Sequence, residues 1–292
     1  MPRDEFLKRV ADQEALICVI TEKVDEVLLA AAPKLRIAAT VSVGYDHIDV
    51  AACTRHKVLV TNTPGVLDDT TADLAWALLM AVARRIVEGD TWVRSGSWPG
   101  WDIDQLVGGD VHGKTLGIIG LGRIGQRMAT RAQGFGMRIL YSSRTRAPLQ
   151  IENDLRAEFV GMDRLLREAD FVTLHVPLLP DTRHLISKAS FEKMKRTAYL
   201  INTTRGPVVD EAALVEALAD GKIAGAALDV YEHEPKVHPG LPPLKNVVLA
   251  PHIGSASVET RTKMAVMAAE NAAALFAGRR PPNALNAEAL GL

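Results

Sequence analysis

The stretch Thr115-Leu116-Gly117-Ile118-Ile119-Gly120-Leu121-Gly122-Arg123-Ile124-Gly125 decides how this chain folds. An apolar run of strand length leads into G-x-G-x-x-G, and a helix is expected from Arg123. In that setting the glycines permit a tight turn, a close approach of backbone to a pyrophosphate, and close packing of helix on strand. The helix N-terminus adds unpaired N–H groups for an anion. The pattern alone is weak; a strand before it and a helix after it give it meaning. It predicts a dinucleotide-binding βα unit in which Gly122, Arg123, Ile124 and Gly125 meet the cofactor.

Outward from that unit, strands are expected at Arg138–Tyr141, Phe171–His175, Ala198–Asn202, Ile223–Asp229 and Val247–Ala250, with helices around Asp163–Arg167 and Asp210–Ala219. These strands are continuous apolar runs without polar alternation, as in a parallel sheet covered by helices on both faces. The region is therefore α/β and doubly wound. Upstream, shorter αβ units are expected, with strands at Ala15–Ile20, Leu35–Val41 and Val58–Thr61 and a helix at Val24–Ala31. A long helix from Asp69 to about Val87 is apolar all round and should be buried; a loop rich in Gly, Ser and Trp follows from Arg94 to Gly113. The last helix, Val258–Phe276, crosses back to the first domain. The expected organisation is a cofactor domain, 69–257, inserted into a smaller α/β domain built from 1–68 and 258–292.

Length and composition agree with this division. At about 150 residues per domain, 292 residues make two domains. Lys+Arg 34 against Asp+Glu 35 leaves a net charge of -1, which lacks the basic excess that drives binding to nucleic acid or anionic lipid. A small-molecule partner is expected instead, with no nucleic acid and no membrane. Only Cys18 and Cys53 are present, so a disulfide framework is not expected and no zinc spacing exists. The first residues carry acids among the bases and no secretory pattern, so a reducing, cytoplasmic compartment is expected.

The cofactor's ribose is read at the end of the strand after the glycine turn, where an acid would accept from a 2′-hydroxyl. That place holds Ser143-Arg144-Thr145-Arg146, with no acid. Ser143 and Thr145 can donate hydrogen bonds, and Arg144 or Arg146 can pair with a dianionic phosphate. This chemistry suits NADPH and leaves NAD open; a basic surface turn is the plainer reading. Gly108 to Thr115 also satisfies the P-loop formula, but a strand rather than a helix is expected after it, against what that motif requires. Glu232, His233 and Glu234 run into Pro235 in a loop without an H-E-x-x-H helix, so no metal site is expected. No G-x-S-x-G elbow is present either.

Arg205, Glu234 and His252 each stand just beyond an expected strand, at the strand ends where doubly wound sheets bind ligands. An Arg, a carboxylate and a His beside a nicotinamide are what reduction of a 2-oxo acid requires. Residue types alone do not single these out among 8 histidines, and a surface salt bridge accounts equally well for each.

With those residues in view, the chain closely resembles the D-isomer-specific 2-hydroxyacid dehydrogenases, in particular their glyoxylate/hydroxypyruvate reductase branch. The resemblance runs through Ser42 to Asp49, Asn62 to Leu67, Asp68 to Asp73, Gly113 to Gly125, Asn202 to Gly206, Leu228 through Pro235, and Pro251 to Ala256. It implies that Arg205 holds the substrate's carboxylate and carbonyl, that His252 is the general acid, and that Glu234, not Glu232, pairs with it. Val43 and Gly44 would bind the carboxylate through backbone N–H groups from the other domain, across a cleft. Thr203, Thr204, Asp229 and Gly254 would touch the cofactor, with Asp229 near the carboxamide. The Ser143 to Arg146 stretch also resembles NADPH-preferring members. The implied activity is NADPH-dependent reduction of glyoxylate or hydroxypyruvate to a D-2-hydroxy acid by a homodimer paired through its cofactor domain. Members begin with a strand ahead of the position of Phe6, so the smaller domain is expected to lack its first strand. Two other readings stay open: a formate or phosphite dehydrogenase, although formate enzymes of this superfamily pair the His with Gln, and a nucleotide-sensing corepressor, which can keep all three residues but carries a long polar tail.

Overall fold

Short apolar runs become the strands of two parallel sheets, one in each of two units. A computed structural model describes residues 2–291. One unit takes the chain up to Asp68 and again from Ser255, the other Asp69–Gly254.

The first unit begins α1 (Arg3–Val10), β1 (Ala15–Cys18), α2 (Glu26–Ala31), β2 (Ile37–Thr40), α3 (Val50–Arg55) and β3 (Leu59–Thr61). Helices α2 and α3 start where side chains of Asp25 and Asp49 accept the backbone N–H of Leu28 and Ala52, which satisfies donors that a helix start leaves unpaired. The strands lie side by side in the order β1-β2-β3. Central β2 and edge strand β3 are buried at every position, while Ile17 on the other edge, β1, is exposed.

The second unit runs α4 (Asp68–Ala83), α5 (Ile86–Arg94), β4 (Thr115–Ile119), α6 (Arg123–Gly134), β5 (Arg138–Ser142), α7 (Leu149–Leu155), β6 (Ala157–Phe159), α8 (Met162–Glu168), β7 (Phe171–Leu174), α9 (Lys188–Phe191), β8 (Tyr199–Asn202), α10 (Glu211–Ala219), β9 (Gly225–Leu228) and β10 (Val247–Leu249). Helix α11 (Val258–Phe276), capped by Ser257, returns the chain to the first unit. The seven strands are all parallel in the order β10-β9-β8-β7-β4-β5-β6. The direction of winding reverses between β4 and β7, the place where such sheets open a crevice for a dinucleotide. Two apolar clusters cover the faces, one containing Leu165, Leu200 and Leu214, the other Leu79, Met128 and Tyr141.

Two local departures from the sequence reading have clear causes. The helix expected from Asp69 to Val87 stops at Ala83, because Ala83's carbonyl accepts from the backbone N–H of Gly109. Arg85 then turns left-handed at φ 53° just before α5 and clasps Glu88 in the first turn of α5 with two hydrogen bonds of 2.9 Å. The edge strand β6 escapes the apolar-run criterion, since Glu158 and Phe159 on it are exposed. The P-loop formula ends at Thr115, which opens a strand. Among the described residues no helix is long and apolar enough to cross a membrane, and no group of three or more His, Cys, Asp or Glu is placed to hold a metal ion.

Candidate active site

The site residues expected in the second unit stand at the carboxyl ends of β4, β5, β8, β9 and β10. At the end of β4, Gly120 takes φ +95°, and a Cβ there would come 2.5 Å from the His175 carbonyl oxygen; one on Gly125 would come 2.2 Å from the Gly120 carbonyl oxygen. Both positions therefore demand glycine. Gly122 differs: a Cβ on it would meet nothing within 4 Å. It caps α6 without a side chain, which leaves bare backbone and the unpaired N–H groups of a first helical turn toward open space. A pyrophosphate fits that cradle. His175 itself is half-buried, bonded through Nε2 to Thr173 at 2.9 Å, and desolvation pushes its pKa down to about 3. It stays neutral beside the turn.

At the end of β5, Ser143 Oγ donates to the Thr145 carbonyl at 2.8 Å, and Arg144 is exposed. Arg146 donates from Nε and Nη2 to Glu152, each at 2.8 Å.

Strands β8, β9 and β10 carry the rest. Buried Asn202 shapes the loop after β8: its Oδ1 accepts from the Thr204 N–H at 3.0 Å and from the Thr204 hydroxyl at 2.8 Å, and its Nδ2 donates to the Arg205 carbonyl at 3.0 Å. Arg205 follows in extended backbone and donates from Nη1 to the Thr204 carbonyl at 2.8 Å. Next to it, a Cβ on Gly206 would stand 1.8 Å from the carbonyl carbon of Tyr231, so the loops after β8 and β9 touch backbone to backbone.

After β9, Asp229 Oδ1 accepts from the Ile253 N–H at 2.7 Å and its carbonyl from the His252 N–H at 2.8 Å. Burial raises the Asp229 carboxyl, partly offset by the Ile253 amide and the His252 ring. Its Oδ2 and the Thr203 hydroxyl are buried without a hydrogen-bond partner among the described residues; two such atoms fit the polar edge of a carboxamide-bearing ligand. Glu234, ahead of the cis Glu234-Pro235 bond, accepts from the Tyr231 N–H at 3.0 Å through Oε1 and faces His252 Nδ1 at 2.8 Å through Oε2. Burial works to raise the Glu234 carboxyl, but the hydrogen bonds from His252 and the Tyr231 amide, with the charges of His252 and Arg205, outweigh it and hold it below the usual range. His252 sits at φ 54° with its side chain 27% accessible. Tyr231 adds a further tie between the loop after β9 and the end of β10, since its hydroxyl donates to the Ala250 carbonyl at 2.8 Å.

Arg205, Asp229, Glu234 and His252 are thus brought together in one unit, as are the glycine turn, Thr203, Thr204 and Gly254, whose Cβ position lies 3.3 Å from Asp229 Oδ2. Val43 and Gly44 belong to the other unit, where Ser42 Oγ donates to the Gly44 carbonyl at 2.7 Å. Glu232 is engaged elsewhere, with Arg183 and His184. Sequence reasoning does not single out Asn202 and Tyr231; both act on backbone groups of neighbouring loops, a role that residue type does not announce.

A doubly wound parallel sheet, a glycine turn at its switch point, and a carboxylate-bonded histidine with an arginine at the adjacent strand ends define a nicotinamide-dependent oxidoreductase. The comparisons with known proteins give its lineage. The profile described as D-isomer specific 2-hydroxyacid dehydrogenase, NAD binding domain, matches residues 76–254. A glyoxylate reductase of Thermococcus litoralis is 53% identical over 99% of this chain and 88% of its own. The crystal structure of the TT0316 protein from Thermus thermophilus superposes with a TM-score of 0.92 at 46% identity, covering 98% of this chain and 90% of that one. An NADPH-dependent glyoxylate/hydroxypyruvate reductase from Sinorhizobium meliloti, solved with NADP and malonate, gives 0.86 at 34% identity over 95% and 85%. The chain belongs to the D-isomer-specific 2-hydroxyacid dehydrogenase family.

Proposed function

We propose that this protein reduces small 2-oxo acids, glyoxylate and hydroxypyruvate first, to D-2-hydroxy acids with NADPH. The observation that carries the reading is the 2.8 Å bond between His252 Nδ1 and Glu234 Oε2 beside Arg205. An ionised Glu234 can only accept, so Nδ1 carries a proton and Nε2 is the ring nitrogen that serves the substrate. The guanidinium of Arg205 offers a planar fork to the carboxylate and carbonyl of the oxo acid and fixes which carbonyl face is presented. His252 then gives its proton to the forming alkoxide, and Glu234 stabilises the imidazolium that precedes that transfer. Bound dihydronicotinamide supplies the hydride. Gly122, Arg123, Ile124 and Gly125 hold the pyrophosphate, Ser143, Arg144, Thr145 and Arg146 form the turn that meets the 2′-phosphate, and Thr203, Thr204, Asp229 and Gly254 meet the nicotinamide end. The names of two relatives support this substrate class, and one of them, named NADPH-dependent, supports this cofactor.

The working form in this reading is a cytoplasmic homodimer. Exposed Ile86, Val87, Val93, Trp101, Ile103 and Val107 crowd one segment of the second unit, beside a groove of about 1120 Å³ lined by Val82, Trp92 and Tyr199. Apolar surface gathered in this way marks an interaction site.

Initial rates over a panel of small 2-oxo acids with NADPH and NADH test the reading. Glyoxylate or hydroxypyruvate is expected to lead with NADPH, and His252→Ala to lower kcat by roughly 10²–10⁴, the range for a positioned proton donor, while NADPH still binds. Unchanged kcat in that variant removes His252 from the mechanism.

A further inference from the structure

The turn after β5 is closed by a ring of hydrogen bonds behind it. Glu152, on α7 and almost fully buried, receives the hydroxyl of Tyr141 on Oε1 at 2.5 Å. The same carboxylate takes the two-pronged grip of Arg146, through Nε on Oε1 and Nη2 on Oε2. The Tyr141 oxygen in turn accepts from the Ala147 N–H at 2.9 Å. Tyr141 is the last fully buried residue of β5 and Ala147 the first residue after Arg146, so the ring ties both ends of Ser142–Arg146 to one carboxylate. The Arg146 guanidinium also lies over the Phe159 ring, 5.8 Å from its centroid.

This ring divides the two arginines. The charge of Arg146 is spent on Glu152, whose carboxyl is held down to about 2 by Arg146 first and the Tyr141 hydroxyl second. Arg144 stands at the exposed crest of the turn, and no hydrogen bond or ion pair engages it among the described residues. A bidentate carboxylate–guanidinium pair is rigid and directional, whereas a free arginine on a loose turn loses entropy when it is fixed on a phosphate.

We propose that Glu152, with Tyr141 and Arg146, is a clamp that sets the preference for the 2′-phosphorylated cofactor: it holds Arg144 in place to take the phosphate, and Arg146 acts through Glu152 as a positioning residue. The proposal rests on the NADPH reading above and assigns its discrimination to a residue, Glu152, that never meets the cofactor.

The test is equilibrium binding of NADPH and NADH to the full-length apoprotein, followed by fluorescence titration, with thermal unfolding of each variant as the control for folding. Glu152→Gln releases Arg146. If Arg146 were itself a phosphate ligand, its release would tighten NADPH. The clamp gives the opposite result: NADPH weakens on the order of tenfold, the scale of coupling within one salt-bridge network, while NADH changes less than about twofold. Tyr141→Phe keeps the ring packed and the Arg146 pair intact, and is expected to weaken NADPH in the same direction by a smaller factor. In the Arg144→Ala background, Glu152→Gln is expected to have no further effect on NADPH. Unchanged or tighter NADPH binding in folded Glu152→Gln, or additive losses in the double variant, overturns the clamp. Failure of the underlying reading looks different: the wild type would bind both cofactors equally and Arg144→Ala would leave NADPH unaffected.

Discussion

Gly206 and Tyr231 are in backbone contact: a single added Cβ on Gly206 would stand 1.8 Å from the Tyr231 carbonyl carbon. Through this contact the loop that presents Arg205 and the loop that presents Glu234 form one body. Gly206→Ala cannot be absorbed by a side-chain rotation, because the obstacle is main chain. The two loops must part, and a displacement of about 1 Å in a reacting group costs on the order of 10²-fold in rate. Steady-state kinetics of the variant are expected to show a fall in kcat/KM of that order.

Asn202 supplies the second brace on Arg205. Asn202→Ala removes three hydrogen bonds and strands the Thr204 amide and hydroxyl in a partly buried setting. The variant is expected to lose about 1–3 kcal/mol of unfolding free energy, the cost of leaving buried polar groups unsatisfied. It is also expected to raise KM for the oxo acid more than it lowers kcat, because Arg205 remains present but less fixed. Chemical denaturation and a kcat-against-KM comparison check both parts.

The pH dependence follows from Glu234. Its folded-state carboxyl titrates below the ordinary value of 4.5, so its contribution to stability is complete above that value and is lost as pH falls through the lowered one. The gap in unfolding free energy between wild type and Glu234→Gln is expected to narrow as pH falls below about 4.5, where the wild-type carboxylate gains its proton. Denaturant titrations at stepped pH measure it; a gap that widens as pH falls below about 4.5 contradicts the sign.

The exposed apolar segment gives a fourth expectation. In sedimentation velocity the wild type should run as two copies, and Trp101→Glu with Ile103→Glu as one. Both residues are more than two-thirds exposed, Trp101 at 77% and Ile103 at 71%, so the substitutions leave the core of the single chain untouched and the unfolding temperature of the separated chain should stay close to that of wild type at low concentration.

Much of this architecture is legible in the residues. The strand ahead of Gly120 and the helix after it follow from an apolar run meeting a glycine turn, and the buried parallel strands follow from the lack of polar alternation in Phe171–Leu174 or Tyr199–Asn202. The break at Arg84-Arg85 is not legible, because it depends on Gly109 reaching Ala83 from far along the chain. The site is partly legible. Arg205, Glu234 and His252 come into focus through family resemblance, since 18 residues separate the two that share a hydrogen bond and no periodicity links them. The supporting residues are hidden for a related reason. Asn202, Tyr231 and Glu152 act by satisfying main-chain groups or a neighbouring side chain, and Glu152 stands 11 residues from Tyr141, on a different element.

In the strand order β10-β9-β8-β7-β4-β5-β6, the residues proposed for proton transfer occupy one flank and the turn with Arg144 the other, with β7 and β4 between them. Each flank answers to its own braces: Asn202 and Tyr231 on one, Glu152 on the other. On the proposed reading, discrimination of the cofactor's 2′ group and the choice of substrate are therefore separate mutational problems in this molecule. If the proposed clamp holds, a lineage, or an engineer, can rewrite the Tyr141–Glu152 ring for a different electron donor without reopening the contacts that hold the histidine.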